Sequence, residues 1–176
     1  CIARSQTISG SLIESMSHGP PYQFLRLGRA LERADMTSRI VDVATAHVRK
    51  DPDLVARFGS ELGTNVLKSV SGFQMYRQYC APRVDGRRVV EFLTRDTLFP
   101  RAIAYCINRC SKACAALPRG EATKAALDLI ADQLARTPDP GLDAFDVSDI
   151  MDRLQSDIGQ VHAHVAKTWF LPDGNQ

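Results

Sequence analysis

Long apolar runs are missing from this sequence. The longest are a handful of residues, well short of the ~20 that carry a helix across a bilayer, and no basic start leads into an apolar signal segment. A soluble, cytoplasmic chain with no membrane partner is therefore the expectation. A marked excess of one charge is missing too: 22 Lys and Arg against 20 Asp and Glu leave a net charge of +2. Domains that grip polyanions usually carry a basic excess or stripe, so no nucleic-acid partner is expected. Catalytic signatures are equally scarce. No nucleophile elbow, phosphate-cradling glycine loop, Walker sequence or HExxH occurs, which counts against a self-contained hydrolase or an ATP-using enzyme.

Cysteine occurs five times, at 1, 80, 106, 110 and 114, never as CxxC and in an odd number. Zinc-type spacing and a disulfide framework are thereby disfavoured. The last three recur every four residues in an apolar pattern and are expected to pack a core in a reducing compartment. His162 and His164 are two apart, about 200° around a helix, and cannot hold one ion together. A carboxylate-bridged dimetal bundle would want Glu-x-x-His, and Glu32-x-x-Asp35 has no histidine. Neither a metal nor a cofactor is expected. His18 and His47 read as lone exposed or capping residues, Trp169-Phe170 and Tyr76 with Tyr79 as core or interface aromatics, and Arg83, Arg87 and Arg88 as a solvated loop.

Period-two alternation never lasts long enough for a strand, whereas spacing of three and four recurs throughout. SLIESM reads as one helical turn or a short helix. The Pro20-Pro21 pair starts a helix over about Tyr22 to Arg49, ending near Asp51-Pro52. A second stretch runs from about Asp53 to Cys80, with a break expected at Gly59 or Gly63. Further helices are expected over Arg87 to Thr97; over Arg101 to Leu117 on Ile103, Ile107, Cys110, Cys114 and Leu117; and over 121 to 136 on Ala122, Ala125, Leu127, Leu129, Ile130 and Leu134. After the loop TPDPGLD a last helix covers Val147 to Leu171, with Ser148 or Asp146 as its cap. The expected fold is all-α: one domain over 1 to 176, a multi-helix bundle of five to seven helices, large enough to bury roughly two thirds of its unfolded surface.

The first long helix is unusually charged. With Phe24 as origin and about 100° per residue, Phe24, Leu27, Leu31, Ala34, Ser38, Val41, Thr45 and Val48 form a bundle-facing seam. Arg26, Arg29 and Arg33 fall opposite it, toward solvent, as a surface for a partner. Glu32, Asp35, Arg39 and Asp42 share a sector that abuts the seam, with Leu25, Met36 and Val43 beyond. Three carboxylates against one arginine call for cations from other helices, because an unpaired buried charge is costly. Arg101 is the favoured candidate. These residues form either a polar network fixing helix register or the lining of a ligand cavity.

FLRLGRALERADMTSRIVDV, residues 24 to 43, resembles the ER motif of the Alpha-E family, bacterial all-helical proteins named for that motif. VVEFLTRDTLFPRAIAYCI resembles the family's second block, and LKSVSGFQMYRQYC between them its helix with spaced tyrosines. The resemblance implies that Gly28, Arg29, Glu32, Arg33, Asp35, Arg39 and Asp42 are marked positions in the first block, and Asp96, Pro100 and Arg101 in the second. Ala102 stands where the family usually has serine. Members typically carry the motif in tandem halves; this chain carries it once and begins with Cys1, so it resembles the C-terminal half of a longer protein whose N-terminal half is missing. The family occurs beside or fused to circularly permuted ATP-grasp ligases, transglutaminase-like proteins and N-terminal-nucleophile peptidases. What the resemblance implies is a helical component of a peptide synthesis or modification system, a binding or scaffolding module for such partners, with no catalytic residue assigned. An enzyme or substrate-binding component with a cavity around Glu32 and a purely structural domain are the alternatives.

Overall fold

Helix formation starts earlier than the apolar pattern indicates. The computed structural model describes residues 2–50, 52–136 and 144–171, and among them the side chains of 2, 3, 5, 47–50, 52–58 and 144–146 are outside the description. Its helices are α1 (Ile2–Ser15), α2 (Pro20–Lys50), α3 (Pro52–Ser69), α4 (Phe73–Tyr79), α5 (Gly86–Arg95), α6 (Ile103–Ala115), α7 (Glu121–Arg136) and α8 (Ala144–Val165), the last running into a wider π turn over Ala166–Phe170. No strand occurs among the described residues. The fold is all-α, and the expected five to seven helices become eight.

Two features account for the difference. SLIESM is only the end of α1, whose first half is rich in serine and threonine and lacks an apolar period. The stretch read as one helix to Cys80 is two, and it breaks at Ser71–Gly72 rather than at Gly59 or Gly63, which lie inside α3. Ser71 takes a left-handed conformation (φ 54°). Its amide bonds to the Lys68 carbonyl at 3.0 Å and the Gly72 amide to the Leu67 carbonyl at 2.7 Å, the paired bonds that close a helix C-terminus. Glycine usually holds that left-handed position; here the glycine comes one residue later, where a Cβ would lie 2.8 Å from the Phe99 ring.

Other boundaries shift by a few residues. α5 is capped by Asp85, whose carboxylate accepts from the Arg88 amide at 3.1 Å. On α7 the buried line is Thr123, Leu127, Ile130 and Leu134, while Leu129, Ala122 and Ala125 face solvent. Ser148 lies inside α8 and does not cap it. The TPDPGLD loop, Asp146 as cap, His47, Val48 and Cys1 lie outside the described residues or side chains.

Four helices enclose the core. Cys110 on α6 reaches the Leu27 carbonyl on α2, while Thr37, ten residues on, reaches Arg101 just before α6, so α2 and α6 run antiparallel. Asp42 meets Ser148 and Phe24 meets Trp169, so α2 and α8 are antiparallel as well. α7 closes the ring against α6 and α8. The result is an up-down four-helix bundle in which α3, α4 and α5 form an insertion between its first two members. Cys106, Cys110 and Cys114 fill its centre as free thiols, whereas Cys80 is exposed. Burial pushes the Cys106 and Cys114 thiols up to about 11 and Cys110 higher still, so all three stay protonated at neutral pH. No described helix is long and apolar enough to cross a membrane.

Candidate functional site

On α2, beyond Tyr22 in its first turn, the buried side chains are Leu27, Ala30, Leu31, Ala34, Thr37, Ser38, Val41 and Thr45. Their arc centres about 80° away from Phe24, which is itself only half-buried, at ~100° per residue. That offset moves both charged groups. Arg26, Arg29 and Arg33 do not lie opposite the core in solvent: all three are half-buried along its edge against α6. Asp35 and Asp42 border the other edge, where Asp42 meets α8, while Glu32, Arg39, Met36 and Val43 are exposed.

The carboxylate edge needs no cation from another helix. Arg39 Nε donates to Asp35 Oδ2 at 2.8 Å and its Nη2 to Asp35 Oδ1 at 3.0 Å, a two-pronged pair one turn apart that holds the Arg39 guanidinium above its ordinary range. Asp42 Oδ1 accepts from the buried Ser148 hydroxyl at 2.7 Å, tying α2 to α8. Glu32 is exposed and makes no ion pair among the described residues. Arg101, the favoured partner of this sector, makes no ion pair there either; it contributes its backbone carbonyl, which accepts from the buried Thr37 hydroxyl at 2.8 Å. Thr37 thus joins the two sequence blocks, a role sequence reasoning did not assign.

The second block is a turn with a defined job. Asp96 ends α5, and its Oδ1 accepts from the amides of Leu98 at 2.7 Å and Phe99 at 2.6 Å. Asp96 therefore shapes the turn that seats Phe99 in the core. The Cys106 thiol donates to the Pro100 carbonyl at 3.5 Å. Ala102, fully buried, occupies the N-cap of α6 with extended backbone and offers no cap hydrogen bond. Serine there would supply the missing acceptor, so Ala102→Ser is expected to add about 1 kcal/mol. A thermal melt checks this, with a rise of about 2–4 °C expected for a chain of this size.

The arginine edge forms a groove. Arg26, Arg29 and Arg33 from α2 and Arg109 from α6 line it together with Tyr22 and Tyr105, over a cavity volume of about 110 Å³. No carboxylate lines it, and none of the four guanidiniums is in an ion pair among the described residues. Arg26 lies over the Tyr22 ring at 5.8 Å and Arg109 over the Tyr105 ring at 5.9 Å, contacts that hold cations without neutralising them. His18 stacks on Tyr22 at 4.0 Å. Cys106 sits at the wall, where Arg33 and Arg101 partly offset the rise that burial gives its thiol. Tyr22, Tyr105 and Arg109 were not singled out from sequence; the four-residue spacing of Tyr105 and Arg109, one position before the Cys106–Cys110 pair, is the signal that places them beside the seam of α6. A larger groove of about 350 Å³ opens over Val41, Leu62, Val66 and Val89, and none of the marked residues of either block lines it. Among the described residues no group of three or more His, Cys, Asp or Glu is placed to hold a metal ion.

A family model described as a predicted alpha-helical domain with a conserved ER motif, Alpha-E, matches residues 1–170. The chain belongs to the Alpha-E family. The match extends well beyond the two blocks that carry the resemblance, to all of the described helices. No curated protein and no solved structure matches the chain. Within this Alpha-E chain the two letters of the motif separate physically: Glu32 points to solvent and Arg33 lines the groove. Gly28, also in the motif, is exposed, and a Cβ there would meet nothing within 4 Å. Gly28→Ala should therefore add about 0.5–1 kcal/mol by removing a flexible residue from a helix interior, as a denaturant midpoint will show.

Proposed function

We propose that this Alpha-E domain is a non-catalytic binding module of a cytoplasmic peptide synthesis or modification system, docking an ATP-grasp ligase through the arginine edge of its ER helix. The observation that carries this reading is the groove: four half-buried guanidiniums converge on it with no carboxylate among its lining residues. Elsewhere on the helix Asp35 is engaged with Arg39 and Asp42 with Ser148. A surface held cationic in this way favours an acidic counterpart, and electrostatic complementarity speeds and orients such an encounter. Transglutaminase-like proteins and N-terminal-nucleophile peptidases are further partners of the same system.

Co-expression with a circularly permuted ATP-grasp ligase of the kind that accompanies the family tests the reading. The full chain should capture the ligase, with capture falling as salt rises, and Arg26→Glu, Arg29→Glu and Arg33→Glu together should abolish it. Undiminished capture by that triple variant would overturn the assignment of the surface.

A further inference from the structure

We infer that the arginine groove is a carboxylate pocket that takes the C-terminal end of a peptide. The inference rests on the docking reading of this edge and narrows what is held there. Two observations point to a ligand. Arg26 Nε is buried with no acceptor among the described residues, while the same guanidinium uses Nη1 on the Gln23 side-chain oxygen at 3.1 Å. A desolvated donor left in this way is costly unless something outside the chain accepts from it. Arg29, Arg33 and Arg109 reach the same space from two antiparallel helices, and the guanidinium fork matches a carboxylate with two parallel bonds.

Size and wall chemistry then select the ligand class. The groove's volume, about 110 Å³, is well under the ~300 Å³ of pockets that enclose a whole small-molecule ligand. It therefore holds the end group of a longer molecule. Beside the cations its walls are apolar and aromatic, with Tyr22, Tyr105, Leu25 and Ile13 at its border. A bare phosphate would leave that surface uncovered, whereas a peptide terminus ending in an apolar residue sets its carboxylate on the guanidiniums and its last side chain against the tyrosines.

Isothermal titration of the full chain with N-acetyl-Ala-Phe as the free acid, with its C-terminal amide and with inorganic phosphate tests this. The acid should bind, the amide at least about tenfold more weakly, and Arg29→Gln or Arg109→Gln should each weaken the acid about tenfold, while Arg39→Gln leaves it unchanged. Equal binding of acid and amide, no binding of the acid, or binding of phosphate without the acid would overturn the inference. The acid-to-amide comparison on the unaltered chain decides the matter even if an arginine variant fails to fold. Ligase capture lost on charge reversal, with acid and amide equivalent, leaves the docking surface standing and removes the pocket. Acid-selective binding without ligase capture does the reverse.

Discussion

Phe92→Ala is expected to cost about 3–5 kcal/mol, a large share of the ~5–15 kcal/mol by which domains are usually stable. Phe92 is 4% exposed on α5, its ring stacks on Phe99 at 4.8 Å and meets Tyr76 edge-on at 5.6 Å. These three rings join α4, α5 and the Asp96 turn. Phe99 in turn presses against Gly72, and Tyr76 accepts from the Asp85 amide at 3.3 Å where α5 begins. Removing the central ring opens a cavity that neighbours on three elements cannot all close. Urea unfolding should show the loss as a lower midpoint, and Phe92→Leu should recover part of it. A loss under 1 kcal/mol would mean that the insertion packs on something other than this trio.

Gly120→Ala is expected to cost about 3 kcal/mol by a different route. Gly120 is buried in the tight turn between α6 and α7, after Arg119 in a left-handed conformation (φ 61°). An added Cβ would overlap the Cys114 carbonyl oxygen, with the Cys114 carbonyl carbon at 2.9 Å and the Leu117 oxygen at 3.1 Å. These are backbone atoms of the end of α6, so no rotamer change relieves the contact. The Gly120 carbonyl also accepts from the Lys124 amide at 2.8 Å to begin α7, and the neighbouring Pro118 carbonyl accepts from the Trp169 indole at 2.8 Å. The single tryptophan should report the displaced turn, so a shifted Trp169 emission is expected together with the lower midpoint.

Apolar spacing made the helical class and the seams of α6 and α8 legible, because those helices are buried along a narrow line and their sequences show it. α1 was not legible: it packs little against the other helices and so carries no strong apolar period. The α3–α4 break was missed because serine, not glycine, holds the left-handed residue. On α2 the sequence reading takes Phe24 as the core-facing origin, whereas the buried arc lies about 80° from it at ~100° per residue. Phe24 sits near the helix end, half-buried beside Trp169 and Phe170, and marks that local contact rather than the bundle axis. Shifting the axis brings the arginines inward and the Glu32 sector outward. Arg109 could not enter the site from α2 alone, since only the antiparallel pairing of α2 with α6 brings it there.

On the proposed reading the ER helix carries a binding edge and a structural edge. The most direct measurement compares two neutralised chains for ligase capture and melting temperature. One carries Arg26→Gln, Arg29→Gln and Arg33→Gln; the other carries Glu32→Gln, Asp35→Asn and Arg39→Gln. The first should lose capture while melting within a few degrees of the unaltered chain, and the second should keep capture. Capture lost from the carboxylate-edge variant and retained by the arginine-edge variant would contradict the account.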